Sequence, residues 1–97
     1  MLENKFKTTL INEIKTKIPG SMIFHLDPTE CQGIPDLLIL HDDKWAALEG
    51  KKNKGASHRP NQDYYVDKLN KMSYAAFVYP ENKEVILDEL QQTFGIS

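Results

Sequence analysis

The chain has 97 residues, enough for one compact domain spanning 1–97 and too few for two. It is 40% hydrophobic and 27% charged with a formal net charge of −2, the balance of an ordinary globular protein rather than one that coats nucleic acid through overall basicity. No apolar run approaches the roughly 20 residues of a membrane span. The opening MLENKFKTTL is amphipathic and carries an early acid, unlike a secretory signal. A single cysteine, Cys31, excludes an intrachain disulfide and fits a reducing compartment such as the cytoplasm. Cys31 itself reads as a small buried or half-buried side chain.

Leu2, Phe6, Leu10, Ile11, Ile14 and Ile18 recur at helical spacing, with Lys5, Lys7, Asn12, Lys15 and Lys17 on other faces. Pro19-Gly20 stops this first helix. Residues 21–26 (SMIFHL) suit a short strand, and 27–33 form a turn-rich loop. Residues 34–40 (IPDLLIL) are a buried strand, 41–44 a hairpin connection, and 45–49 (WAALE) the antiparallel return. Pro60 suits the first turn of a second helix running to about Lys71, with Tyr65, Val66, Leu69 and Met72 at apolar spacing. A fourth strand follows at 74–79, then a turn at 80–82 and a last helix carrying Val85, Ile86, Leu90 and Phe94, closed by Gly95. The expected architecture is α/β: a mixed four-stranded sheet flanked by helices in the order α-β-β-β-α-β-α.

Chemistry is indicated where polar residues interrupt apolar strands. Asp36 lies within an apolar run, directly after a proline, where a buried carboxylate is costly unless a cation or hydrogen bonds compensate it. Glu49 and Lys51 are two apart, so an extended chain projects them to the same face. With the turn at 41–44, Asp36 falls opposite the Glu49 end of the returning strand. Two carboxylates, with the Gly50 carbonyl between Glu49 and Lys51, make an oxygen-rich site for Mg²⁺ or Mn²⁺. From spacing alone a buried Asp36–Lys51 ion pair, with Glu49 at the surface, is the competing reading. The stretch 51–59 (KKNKGASHR) holds four cations, one histidine and no acid; it is either a phosphate-contacting loop or simply a solvated one.

Gly33-Ile34-Pro35-Asp36, followed thirteen residues after the aspartate by Glu49-Gly50-Lys51, resembles the PD-(D/E)XK signature of restriction-like nucleases. The chain is more narrowly similar to virus-type replication-repair nuclease (VRR-NUC) domains, which show a glutamate on an early helix, a GxPD strand, an ExK strand and a glutamine opening a helix. These elements correspond here to Glu3, Gly33–Asp36, Glu49–Lys51 and Gln62. The resemblance implies a restriction-endonuclease-like core. It implies Asp36 and Glu49 as metal ligands with Gly50, Lys51 as the residue that orients water and neutralises charge, Gln62 as a further catalytic residue, and Glu3 as an auxiliary acid. Glu13, also on the first helix, is the other candidate for that last position. The resemblance further implies a Mg²⁺- or Mn²⁺-dependent endodeoxyribonuclease acting on Holliday junctions or other branched DNA, as a homodimer with no membrane partner. Lys52, Lys54, His58 and Arg59 are the expected phosphate contacts; His25 and His41 read as structural or exposed. The last helix or the strand near Tyr79 is a candidate dimer surface, with the core as the preferred place for the helix residues. One departure stands before the fourth strand, where family members often carry glycine and this chain has Lys71-Met72-Ser73. The other readings are a nuclease-like accessory subunit that binds nucleic acid, and a small non-enzymatic α/β interaction domain.

Overall fold

The computed structural model describes residues 2–96, with side chains from residue 5 onward. Seven elements follow in chain order: α1 (Leu2–Lys17), β1 (Met22–His25), β2 (Leu37–His41), β3 (Lys44–Gly50), α2 (Gln62–Met72), β4 (Ala75–Val78) and α3 (Lys83–Phe94). The strands form one sheet in the order β1-β2-β3-β4. β1–β2 and β2–β3 pair antiparallel, and β3–β4 pair parallel through the α2 crossover. This is the expected mixed sheet.

The alternation of the strands decides what covers each face. Leu37 and Ile39 of β2, Ala46 and Leu48 of β3, and Val78 of β4 share one face and are buried. Against them pack Leu10, Ile14 and Ile18 of α1 and Ile86, Leu87, Leu90 and Phe94 of α3, so this face carries the main core. α2 packs on β3 and β4 from the opposite face, where Ala47 and Ala75 leave room for it. Covered on both sides, β3 is buried from Ala46 to Gly50. The β1–β2 half of the α2 face lacks such cover among the described residues, and Met22 and Phe24 stand exposed there.

Several local expectations need correction. β2 begins at Leu37 rather than residue 34, because Pro35 has no N–H to donate to a ladder. Asp36 thus precedes the strand, although its carbonyl still accepts from the Leu26 N–H at 2.8 Å. α2 begins at Gln62, not at Pro60, because Asn61 takes a left-handed φ of 71° and forms the N-cap position. At the far end of α2 Met72 is exposed rather than inward, while Tyr65, Val66 and Leu69 are half-buried. Ile86, Leu90 and Phe94 lie in the core as preferred, and Val85 is exposed. Ser73 has φ −151°, outside the left-handed region, and its hydroxyl donates to the Trp45 carbonyl, so the position does not require glycine.

Candidate active site

The β2–β3 hairpin positions the acids. His41 pairs with Lys44 and Leu37 with Leu48, a register that places Asp36 across from Glu49 at the open end of the hairpin. The turn residue Asp42 has φ 54°, a conformation that aspartate tolerates better than most side chains. The Gly50 N–H donates to Asp36 Oδ1 at 3.3 Å, tying the carboxylate to the backbone between Glu49 and Lys51. Asp36 Oδ2 is shut off from solvent and takes no hydrogen bond of ordinary geometry. The Lys7 ammonium of α1 faces that oxygen in an ion pair.

Glu49, Lys51 and Gln62 are the buried polar side chains among the described residues, 7%, 7% and 6% exposed respectively. Parallel pairing with β4 holds the strand end, the Lys51 N–H donating to the Val78 carbonyl at 2.8 Å. The Lys51 ammonium donates to Gln62 Oε1 at 2.6 Å and to the Ser57 carbonyl at 3.2 Å. Gln62 Oε1 also accepts the Arg59 N–H at 2.8 Å, so one oxygen joins β3, α2 and the intervening loop. The competing Asp36–Lys51 ion pair does not form: the cation on Asp36 is Lys7, and Lys51 is held by amide and carbonyl oxygens.

Gly33 sets the entrance of α2. It has φ 97°, and a Cβ there would lie 2.6 Å from Asn61 Cβ and 2.8 Å from the Pro60 carbonyl oxygen. The turn before Asp36 and the turn before Gln62 therefore pack backbone to backbone, which only a glycine permits. Cys31 is half-buried as expected, its thiol donating to the Tyr65 hydroxyl at 2.9 Å and tying the same loop to α2.

Asp36, Glu49, Lys51, Gln62 and Arg59 line one cleft of ≈ 690 Å³. Two further residues in its wall were not apparent from the sequence, Lys7 and His25. No local pattern marks Lys7, which reads as one of several lysines on a helix, or His25, which reads as a strand-end histidine. A second depression lined by Lys52 and residues of the 53–57 loop shares Lys51 and Arg59 with the first. Of the expected phosphate contacts, Lys52, Lys54, His58 and Arg59 are all exposed, but the His58 ring is not at liberty to reach a phosphate. His58 is engaged instead, stacked on Phe77 with ring centroids 4.0 Å apart and with Nδ1 2.7 Å from Asp63 Oδ1. With the Lys54 N–H bonded to Glu81 at 3.3 Å, this pins the basic loop to the body of the protein. His41 packs against Phe94 with the rings tilted at 56°, in keeping with a structural role. On α1, Glu13 is bound to Lys83 at 2.9 Å and so is committed to the α1–α3 contact. The side chain of Glu3 lies outside the described residues.

No family model matches the chain, and neither does any curated protein. Solved structures do share its fold. It is similar to a VRR_NUC domain protein with a TM-score of 0.68 at 19% identity, over 100% of this chain and 91% of the other. It is also similar to Hjc, a Holliday junction resolvase from the archaeal hyperthermophile Archaeoglobus fulgidus, with a TM-score of 0.53 at 15% identity over 78% of this chain and 67% of that one. The chain therefore has the restriction-endonuclease-like fold, and the resemblance to VRR-NUC domains read from its motifs extends to the whole architecture.

Proposed function

We propose that residues 1–97 form one divalent-metal-dependent endodeoxyribonuclease domain that hydrolyses phosphodiester bonds, with Holliday junctions or other branched DNA as preferred substrate. The observation that carries this reading is the convergence of Glu49, Lys51 and Gln62, all buried, on the cleft that Asp36 borders. Burying polar and charged groups is costly, and such groups gather in clefts chiefly where they do chemistry. The fold likeness to a Holliday junction resolvase supports the choice of substrate.

The donor set suits a hard cation. Among the described residues no group of three or more His, Cys, Asp or Glu could hold a metal ion, and the side chain of Glu3 lies outside them. Asp36, Glu49 and the Gly50 carbonyl instead offer a few oxygens at an open cleft, the mode in which Mg²⁺ or Mn²⁺ is held alongside water and substrate phosphate. Asp36 Oδ2 is shielded from solvent and faces the Lys7 ammonium, a cation whose place a divalent ion would take. Glu3, four residues before Lys7 in α1, is the proposed auxiliary acid. A bound divalent ion would supply Lewis acidity at the phosphate and lower the cost of deprotonating a nucleophilic water.

The protein's own groups do the rest. Two N–H groups of the Lys51 ammonium are engaged by Gln62 and Ser57, leaving a donor for the attacking water or a phosphate oxygen. Its charge offsets the negative charge that develops on the phosphate in the transition state. Gln62 fixes where that charge sits. Arg59 and Lys52 border the two adjoining depressions and, with the exposed Lys54 of the same loop, would track the strand backbone on either side of the scissile bond. The surface available for a homodimer includes Met22 and Phe24 on edge strand β1, 58% and 44% exposed. A two-fold pair of active sites would match a two-fold junction.

The test is cleavage of labelled four-way junction, flap and linear duplex by wild type and Lys51→Ala, with Mg²⁺, Mn²⁺ or EDTA. Divalent-dependent cutting of the junction by wild type alone supports the proposal. Equal cutting by both proteins sinks the mechanism, and equal cutting of junction and duplex sinks the choice of branched DNA.

A further inference from the structure

The Lys7 side chain reaches Asp36 from α1 by passing over Gly50. A Cβ on Gly50 would lie 3.1 Å from Lys7 Cε, 3.4 Å from its Cγ and 3.9 Å from Asp36 Oδ2. The residue between Glu49 and Lys51 thus leaves room for the lysine stem, which would have to shift by a few tenths of an ångström to admit a Cβ. The stem ends in the ion pair with Asp36, the two side chains 21% and 19% exposed. The oxygen that Lys7 faces is the shielded Oδ2, the one a cation bound to Asp36 would take. An ammonium and a divalent ion cannot both sit against it, since two cations at one carboxylate oxygen repel strongly where solvent is excluded.

We propose that Lys7 is a positioning residue and the built-in counter-ion of Asp36: a divalent ion displaces its ammonium, which then turns to a phosphate of the bound DNA. This rests on the metal-dependent nuclease reading of the same site. Before DNA arrives, the ammonium lowers the affinity of the carboxylates for metal, because the incoming ion must separate an existing pair. A nucleic-acid phosphate gives the displaced ammonium a new partner and removes that cost. Metal and DNA therefore favour each other's binding, and linkage makes the coupling reciprocal. Loading of the site with metal is tied to the presence of substrate.

The test is calorimetric titration of Mn²⁺ into wild type, Lys7→Met, Lys7→Arg and Lys83→Met, each checked for folding by circular dichroism. Methionine keeps the stem over Gly50 without the charge, and arginine keeps the charge. Lys83→Met removes an equal charge from the Glu13 pair, so it controls for net charge. Lys7→Met should bind Mn²⁺ about tenfold more tightly than wild type, with Lys7→Arg and Lys83→Met within about twofold of wild type. The affinity for four-way junction is then measured with and without Ca²⁺; its enhancement by the ion should be present in wild type and largely lost in Lys7→Met. If Lys7→Met does not fold, Lys7→Gln takes its place. Wild-type binding of Mn²⁺ with no tightening in the neutral variant overturns the counter-ion role and leaves the nuclease reading intact. Absence of Mn²⁺ binding in every protein overturns the nuclease reading and this inference with it.

Discussion

Lys51 and Gln62 are joined by a 2.6 Å hydrogen bond between residues at the end of a central strand and the start of the following helix. The same glutamine oxygen caps the Arg59 N–H, so the position of the ammonium depends on the loop and helix as much as on its own strand. Gln62→Leu removes both acceptor functions and leaves a buried ammonium one partner short. A loss of about 1–3 kcal/mol follows, which lowers the melting temperature of a domain this size by roughly 4–8 °C per kcal/mol. Gln62→Glu keeps the acceptor beside the cation and should retain most of that stability. Thermal denaturation of the two variants checks the contrast.

On the proposed mechanism Lys51→Ala removes the charge that offsets the phosphate's developing negative charge, and kcat on a cleavable junction should fall by about 10²–10³-fold. Binding of the junction should change much less, because Arg59, Lys52 and Lys54 remain. Single-turnover cleavage and a gel-shift titration separate the two effects.

Asp36→Asn preserves the acceptor for the Gly50 N–H while removing the carboxylate charge. Calorimetry should show loss of Mn²⁺ binding with the fold retained by circular dichroism. A variant that still binds Mn²⁺ as wild type does would place the ion elsewhere.

Gly33→Ala should damage both stability and activity from outside the cleft chemistry. Its φ of 97° disfavours any side chain, and the new Cβ would meet Asn61 and the Pro60 carbonyl inside 3 Å. Strain of this kind costs about 1–3 kcal/mol, and any relief moves the entrance of α2 and with it Gln62. A lowered melting temperature together with a reduced kcat is expected; a fall in stability with kcat unchanged would show that Gln62 does not follow Gly33.

Tyr74 provides a pH signature. Burial first, then its hydrogen bond to and the negative charge of Glu89, hold its hydroxyl far above the ordinary tyrosine range. A raised folded-state pKa contributes stability that is complete below the unfolded value near 10 and declines as pH rises beyond it, since only the unfolded chain then ionises. Stability should therefore fall more steeply above about pH 10 in wild type than in Tyr74→Phe. Urea denaturation midpoints at increasing alkaline pH for both proteins measure the difference.

Much of this site was legible because its members are close in the chain. The two-residue turn after His41 sets the hairpin register, and the register alone puts Asp36 opposite Glu49. The two-residue period of a strand puts Lys51 on the side of Glu49, and the spacing of Leu10, Ile14 and Ile18 marks the helix face that enters the core. These follow from local geometry, which a sequence carries directly. The start of α2 was misplaced because Pro60 satisfies every local rule for a helix entrance, while the left-handed Asn61 is stabilised by packing against Gly33, 28 residues earlier. Lys7 shows the limit most clearly. Nothing near it in the chain distinguishes it from Lys5 or Lys15, and its partner depends on how α1 crosses the sheet and on the space above Gly50. Periodicity and turn chemistry determined which acids and which lysine come together at the strand ends. The cation that faces Asp36, and the glutamine and carbonyl that hold Lys51, were decided by tertiary packing, because contacts between distant segments depend on crossing angles and vacant volume that no local pattern encodes.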